Sequence, residues 1–374
     1  MKLIENTSDL AQLCRDLHAF DRLAIDTEFH AEHRYIPKLM LIQIAAPSGE
    51  VWIVDPLKVS PRPLKPALET RTLILHGARQ DIRLLYHTID LKPGKILDVQ
   101  QADGLLSSEY PTRLSTLVSK HLHQDINKDS GLSNWSHRPL NQKQLAYAAQ
   151  DALILLQLAP ILEDQLKQRG RMEWAQALGE ELCLSACKQH QASINDWMNW
   201  DVIPKLSAVE QHILRDLFHW REGVARHKNR PVHTILSGRI ALDLARRKPS
   251  TASEILSNRR IHHGLIKHNG HALLTIIENA KAKAKLQPLL TRQESEMGRL
   301  LHWWAQVLSQ SLQIAPRIML PDALAQEIAR NGLSALQGWR RDALSDHLQK
   351  FLSGQIGITV QDGKPHLAPL SAGK

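Results

Sequence analysis

Cysteine is scarce in this chain. Cys14, Cys183 and Cys187 are the three among 374 residues, too few for the disulfide framework of a small secreted domain. Cys183 and Cys187 lie four apart, on one face of an expected helix, with no second ligand pair nearby. That pattern reads as packed thiols rather than a metal site. Long apolar runs are also missing: Ala152–Leu156, among the longest, falls far short of the roughly 20 residues of a membrane span. The segment Met1–Asn6 lacks the apolar core of a secretion signal. The expectation is a cytoplasmic protein with no membrane association.

Acidic residues thin out along the chain. Residues 1–200 hold 22 Lys+Arg and 24 Asp+Glu, a balance of −2, whereas residues 201–374 hold 25 and 14, a balance of +11. Most of that excess, +9, falls in residues 201–285. Such a split suggests chemistry in the first half and binding of a polyanion in the second. Solvated helix faces are the alternative source of the excess.

What is present centres on Leu23–Phe29, an apolar strand-like run carrying Asp26 and Glu28. Residues i and i+2 of a strand face the same side. Two like charges there repel and resist desolvation unless a cation sits between them. An edge strand with both acids in water is the alternative.

Residues 1–21 read as a short strand and a helix with Ser8 as its N-cap. Strand-like runs at 23–29, 39–45 and 51–54 suggest an antiparallel meander. A helix over 61–70, a strand at 72–76, a helix through Tyr86 and a strand at 96–99 follow. A mixed sheet with helices packed on it is the result. Beyond about residue 100 the pattern is mainly helical. Asp81 falls at the start of the helix after His76, near the strand's C-terminal edge, where α/β sheets bind ligands. Asn141 caps a helix on which Tyr147 and Asp151 stand one turn apart on one face.

Asp26-Thr27-Glu28, Asp81 five residues after His76, and Tyr147 with Asp151 resemble the three exonuclease motifs of the DEDD superfamily in its DEDDy branch. The match is closer still to the ribonuclease D family. Tyr35–Leu39 with Leu41–Ile44, and the Lys128–Trp135 loop with Arg138-Pro139-Leu140, are similar to that family's segments. Asn134 departs from it, standing where related sequences often have Asp. In the second half, Trp220–Glu222 through Arg226, Pro231, Leu242, Leu244-Ala245 and Lys248-Pro249 resemble a helicase-and-RNase-D C-terminal (HRDC) domain. Leu320–Asp322 with Gly338–Arg341 resembles a degenerate second copy.

The resemblance implies an α/β fold: an RNase H-like mixed-sheet exonuclease domain over residues 1–200, then two small all-α HRDC-like domains over 207–287 and 288–370. It implies a metal-dependent 3′→5′ exoribonuclease, acting as a monomer. Such an enzyme trims tRNA precursors and other small structured RNAs and releases nucleoside 5′-monophosphates. Two Mg²⁺ or Mn²⁺ ions about 4 Å apart suit that hydrolysis, and both take hard oxygen ligands. Asp26, Glu28 and Asp151 are expected to hold one ion, Asp26 to bridge to the second, and Asp81 to contribute directly or through water. Tyr147 is expected to orient the attacking water.

His76, Gln43, Lys128, Trp135 and Arg138 are candidates for contact with the strand end, with packing on the sheet the favoured alternative for Trp135. Arg226, Lys228, Arg230, Arg246, Arg247 and Lys248 are candidate phosphate contacts. Removing residues 201–374 is expected to spare cleavage of short single strands and to weaken attack on folded RNA. A DNA-directed exonuclease and a catalytically silent RNA-binding scaffold are the competing readings.

Overall fold

The computed structural model describes residues 1–125, 134–187, 197, 200, 202–261, 263–280 and 291–370. Six apolar runs pair into one sheet: β1 (Lys2–Ile4), β2 (Arg22–His30), β3 (Lys38–Ala45), β4 (Val51–Val54), β5 (Thr72–Leu75) and β6 (Lys95–Asp98). Their order is β1-β4-β3-β2-β5-β6, so the acid-bearing strand β2 is central and the edge-strand alternative falls away. β3 and β4 run antiparallel, while β1–β4, β2–β5 and β5–β6 are parallel. The parallel pairs need helical crossovers. These include α1 (Thr7–Asp16), α2 (Leu64–Glu69) and α3 (Arg79–Ile89).

The N-cap of α1 is Asn6, whose side chain accepts from the Asp9 backbone N–H, and not Ser8. Ser8 Oγ donates to Asn6 Oδ1 instead. Asparagine caps at least as well as serine, and two cap-type residues two positions apart leave the choice to the chain's entry path.

After α4 (Val99–Gly104) and α5 (Leu114–Leu122) comes the 27-residue α6 (Gln142–Gln168). Asn141 and Gln144 close a reciprocal capping box at its start. α6 packs on β2, β4 and β5, burying Leu145, Ala148, Ala152, Leu155, Leu158 and Leu162. It is long and apolar enough to cross a membrane by length and composition alone. Half of that apolar window is buried inside the protein, so α6 serves as a core helix. Arg22 at the start of β2 makes two 3.0 Å bonds to Glu163 near the end of α6. That pair sets α6 antiparallel to β2, so the start of α6 lies over the Asp26–Glu28 end of the strand.

α7 (Met172–Cys187) covers β6 and α3. A Cβ at Gly179 would stand 2.3 Å from the Ile96 carbonyl oxygen, so only glycine lets helix and strand approach this closely. Gly179→Ala is expected to cost about 1–3 kcal/mol, read as a lower urea midpoint. An unchanged midpoint would show that α7 can shift freely. Cys183 and Cys187 pack beside this core with their sulfurs 4.0 Å apart.

The C-terminal helices α13 (Arg292–Leu312), α14 (Pro316–Met319), α15 (Asp322–Asn331) and α16 (Gly338–Leu352) belong to the same compact unit as the sheet. Leu301, Trp304, Leu308, Met319 and Leu344 share one apolar core with Leu145, Ala148 and Leu155 of α6. Trp174 stacks on Trp339 at 5.0 Å, and Arg340 pairs with Glu181 at 2.6 Å. Removing residues 201–374 would strip this core open, which corrects the expectation that the remainder keeps working. The chain closes on a hairpin of β7 (Ile356–Gln361) and β8 (Lys364–Pro369). The helical pattern did not announce it, although Asp362-Gly363 is a two-residue hairpin turn.

The second unit comprises residues 31–38 and 188–291. Its helices are α8 (Ala208–Lys228), α9 (Val232–Ile235), α10 (Gly238–Arg247), α11 (Ala252–Leu256) and α12 (His263–Asn279). Ser207 and Glu210 form a capping box for α8. Leu214, Leu217, Phe218, Leu244, Ile255 and Leu273 make its core. The Tyr35 hydroxyl donates to Glu222 in this unit, and Asn229 Oδ1 accepts from the backbone N–H of Tyr35 and Ile36.

Candidate active site

Ala24 faces the core under α6, and alternation carries Asp26 and Glu28 along the same face of β2. Asp151 comes down from α6. One carboxylate oxygen from each of Asp26, Glu28 and Asp151 lies within 4.8 Å of the other two. Thr27, turned the other way, is buried and donates to Asp81 Oδ1 at 2.5 Å. Asp81 is thereby held at the cluster's side rather than inside the three-oxygen group, yet its charge still acts on Asp26 and Glu28.

Residues outside the motifs hold this geometry. Gly77 adopts φ +62°, which favours glycine, and makes the turn from β5 into α3. Asp98 at the end of β6 accepts from the Gly77 and Ala78 backbone N–H at 3.0 and 2.9 Å. It also caps α4 through the N–H of Gln100. Asp98 therefore fixes where α3 starts, and with it Asp81. A lone aspartate at a strand end carries no sequence signal for that task.

The electrostatics are those of like charges gathered in a partly desolvated site. Burial, then repulsion from Asp81, Asp151 and Glu28, holds Asp26 well above the usual carboxylate range. Burial, then Asp151 and Asp81, pushes Glu28 up to about 8. Burial raises Asp151 to about 6, with the Tyr147 hydroxyl opposing. Asp81 also rises to about 6 through burial, with the Thr27 hydroxyl opposing. No basic side chain among the described residues is close enough to offset these shifts. Hard carboxylate oxygens, gathered and mutually repelled, fit divalent cations of the Mg²⁺ or Mn²⁺ kind. Burial and then Asp151 drive the Tyr147 phenol upward, so it stays protonated and donates to Asp151 rather than acting as a free base.

These shifts fix a pH signature. Each acid's folded pKa lies above its unfolded value, so the metal-free fold holds these protons more tightly than the unfolded chain does. The resulting stability is fully present below pH about 4 and is lost as pH rises toward about 8. Divalent cations act in the opposite sense, because they displace those protons. Saturating Mg²⁺ is therefore expected to raise Tm more at pH about 8 than at pH about 5.5. A calorimetric shift independent of pH would show that these acids do not gather round a cation.

The other candidates divide. Trp135 is buried with its ring 6.2 Å from that of Tyr147. It is the packing alternative that holds, and Trp135 fixes the phenol in place. Arg138 is corrected from strand contact to structure. Its Nε and Nη2 donate to the buried Asp55 at 2.5 and 2.8 Å, and Nη1 and Nη2 donate to the Trp135, His137 and Met40 carbonyls. That leaves no donor to offer a strand. Asn134, the departure from the family pattern, accepts from Ser136 in the turn before α6. His76 Nε2 lies 2.9 Å from the Thr112 carbonyl and is half-buried. Gln43 is fully buried, with neither amide atom partnered among the described residues. It shares the face of Leu41 and Ala45, and so of Asp26. Lys128 lies outside the described residues.

In the second unit Arg247 is paired with Asp243 at 2.5 Å and Lys248 with Glu210 at 3.0 Å. Arg226 faces the Tyr35 hydroxyl. Arg246 is exposed. Lys228 and Arg230 line a hollow of about 1000 Å³, joined by His233, Arg239, Arg260 and His268. The sequence reading missed these last four. They are scattered over 36 positions, and only the packing of α9, α10 and α12 brings them together.

The 3′-5′ exonuclease family model matches residues 1–167 and the HRDC domain model matches residues 210–277. The ribonuclease D of Zymomonas mobilis is 30% identical over 386 residues, covering 97% of this chain and 96% of that protein. The ribonuclease D of Pseudomonas paraeruginosa is 28% identical, covering 93% and 96%. Among solved structures, Escherichia coli RNase D superposes with a TM-score of 0.82 at 22% identity, covering 94% of this chain and 98% of that one. The last likeness carries the fold, mixed sheet and helical C-terminal part alike.

Proposed function

Because this chain belongs to the ribonuclease D family and is a 3′→5′ exoribonuclease, we propose that it trims the 3′ ends of tRNA precursors and other small structured RNAs. Hydrolysis releases nucleoside 5′-monophosphates. The observation that carries the reading is the meeting of Asp26, Glu28 and Asp151 within 4.8 Å under the Tyr147 hydroxyl. A surface or scaffold role gives no reason to gather four repelling acids, one buried and three half-buried.

Asp26, Glu28 and Asp151 would hold one divalent cation, with Asp26 shared toward a second and Asp81 contributing through water. Two such cations, when bound, stabilise the attacking and leaving oxygens of an in-line displacement. The chain's own groups do the positioning. Tyr147, clamped by Trp135, offers its hydroxyl to orient the attacking water. Gln43 supplies a buried amide on the same sheet face, and His76 stands near the strand's C-terminal edge. The E. coli relative is described as an exoribonuclease involved in structured RNA processing. By analogy, the cationic hollow of the second unit grips the folded body of the RNA through Lys228, Arg230, Arg239 and Arg260, aided by the exposed Arg226 and Arg246. Domain limits of 1–200 and 207–287, with residues 288–370 a degenerate HRDC-like copy that shares the core of the first unit, a monomeric state and a cytoplasmic setting complete the reading.

The test is parallel digestion of a 3′-extended tRNA and a single-stranded DNA of equal length. Stepwise shortening of the tRNA to its mature end, with 5′-monophosphates as product and slow attack on the DNA, is the expected result. Preference for the DNA would overturn the RNA assignment.

A further inference from the structure

Trp303 is the one exposed Phe, Tyr or Trp side chain among the described residues, 63% accessible on the long helix α13. Its neighbour Trp304 is fully buried and stacks on Phe351 at 5.8 Å. The core's demand for a large ring at this level of α13 is thus met by Trp304, and Trp303 has no packing task. Positions 299, 303 and 306 fall at i, i+4 and i+7, on one stripe of the helix, with 302 beside it. Arg299, His302, Trp303 and Gln306 line one shallow open depression of about 470 Å³. His302 faces Asp322 at 3.4 Å. Arg299 makes no ion pair among the described residues.

We propose that this face is a stacking platform for an unpaired base of the RNA substrate, with the Arg299 guanidinium on that nucleotide's phosphate. The inference rests on the reading of the chain as an exoribonuclease. An indole face stacks on any base, and a cation and an amide beside it suit the phosphate and the base edge. The patch is one ring with the exposed Leu300 next to it. That is far below the roughly 800 Å² per partner that a stable protein interface needs, whereas a single base covers a single ring. The platform lies outside the motifs of hydrolysis and outside the HRDC-matched segment, so it adds a contact to the body of a structured substrate.

The test uses the full chain carrying Asp26→Asn, to prevent digestion, and a fluorescein-labelled RNA hairpin with an unpaired loop. Trp303→Ala and Trp303→Leu are expected to raise Kd about tenfold, while Trp303→Phe, which keeps a ring, stays within about threefold. Arg299→Ala is expected to lower the salt dependence of binding by about one phosphate contact. The proposal is overturned if Trp303→Ala binds within about twofold of the parent, or if leucine substitutes as well as phenylalanine. It is also overturned if sedimentation shows Trp303→Ala splitting a dimer with RNA affinity untouched, which assigns the face to a second copy. Failure of the parent chain to bind any RNA would instead sink the underlying assignment, and so separates the two.

Discussion

Asp26→Asn is expected to lower RNA hydrolysis by on the order of 10³ or more while leaving the metal-free fold at least as stable as before. The two halves of that expectation come from one geometry. Asp26 is half-buried and is repelled by Asp81, Asp151 and Glu28 together. Removing one charge from a crowded, desolvated group relieves repulsion, and asparagine keeps the shape. A structural carboxylate behaves differently, since its loss would leave donors unpaired and weaken the fold. Hydrolysis rates and urea midpoints measured on the same preparation separate the cases. A variant that loses stability along with activity would mean that Asp26 holds the strand rather than the cation.

Arg138→Ala is expected to destabilise the protein by about 3–5 kcal/mol, more than a surface substitution can. Asp55 has no exposure; its carboxylate accepts two bonds from this guanidinium, its charged partner, and a third from the Leu57 backbone N–H. Without it a buried carboxylate stands unpaired, and the Trp135 and Met40 carbonyls lose a donor. Lysine is not expected to rescue, because one ammonium cannot span the carboxylate fork and three carbonyls. The effect should appear as a large fall in urea midpoint. RNA affinity at temperatures where the variant stays folded should be nearly unchanged. An unchanged midpoint with weakened RNA binding would return Arg138 to the strand-contact role that its place in the loop first suggested.

Those two residues show what sequence could and could not convey. Asp26, Glu28, Tyr147 and Asp151 were legible because strand alternation and helical spacing are local rules: each pair's shared face follows from a few residues. Asp81 was legible through its motif, but its tie to Thr27 was not, since it depends on two elements 54 positions apart. Arg138 and Trp135 sit in a polar loop whose composition suits substrate contact, and only the tertiary partners Asp55 and Tyr147 reveal that they are bracing. Asp98 and Gly179 were silent for the same reason. The C-terminal helices looked like a detachable module because helical periodicity says which face is apolar but not what covers it. Here Leu301 and Trp304 share a core with α6. The exposed Trp303 escaped notice because an indole next to a second indole reads as core packing.

The central claim is that RNA hydrolysis runs through divalent cations gathered by the carboxylates on β2 and α6. Digestion of one 5′-labelled RNA measures it most directly, by wild type with Mn²⁺, wild type with EDTA, and Asp26→Asn with Mn²⁺. The account predicts a ladder shortening by single nucleotides in the first reaction and an intact RNA in the other two. Equal digestion in all three would contradict it.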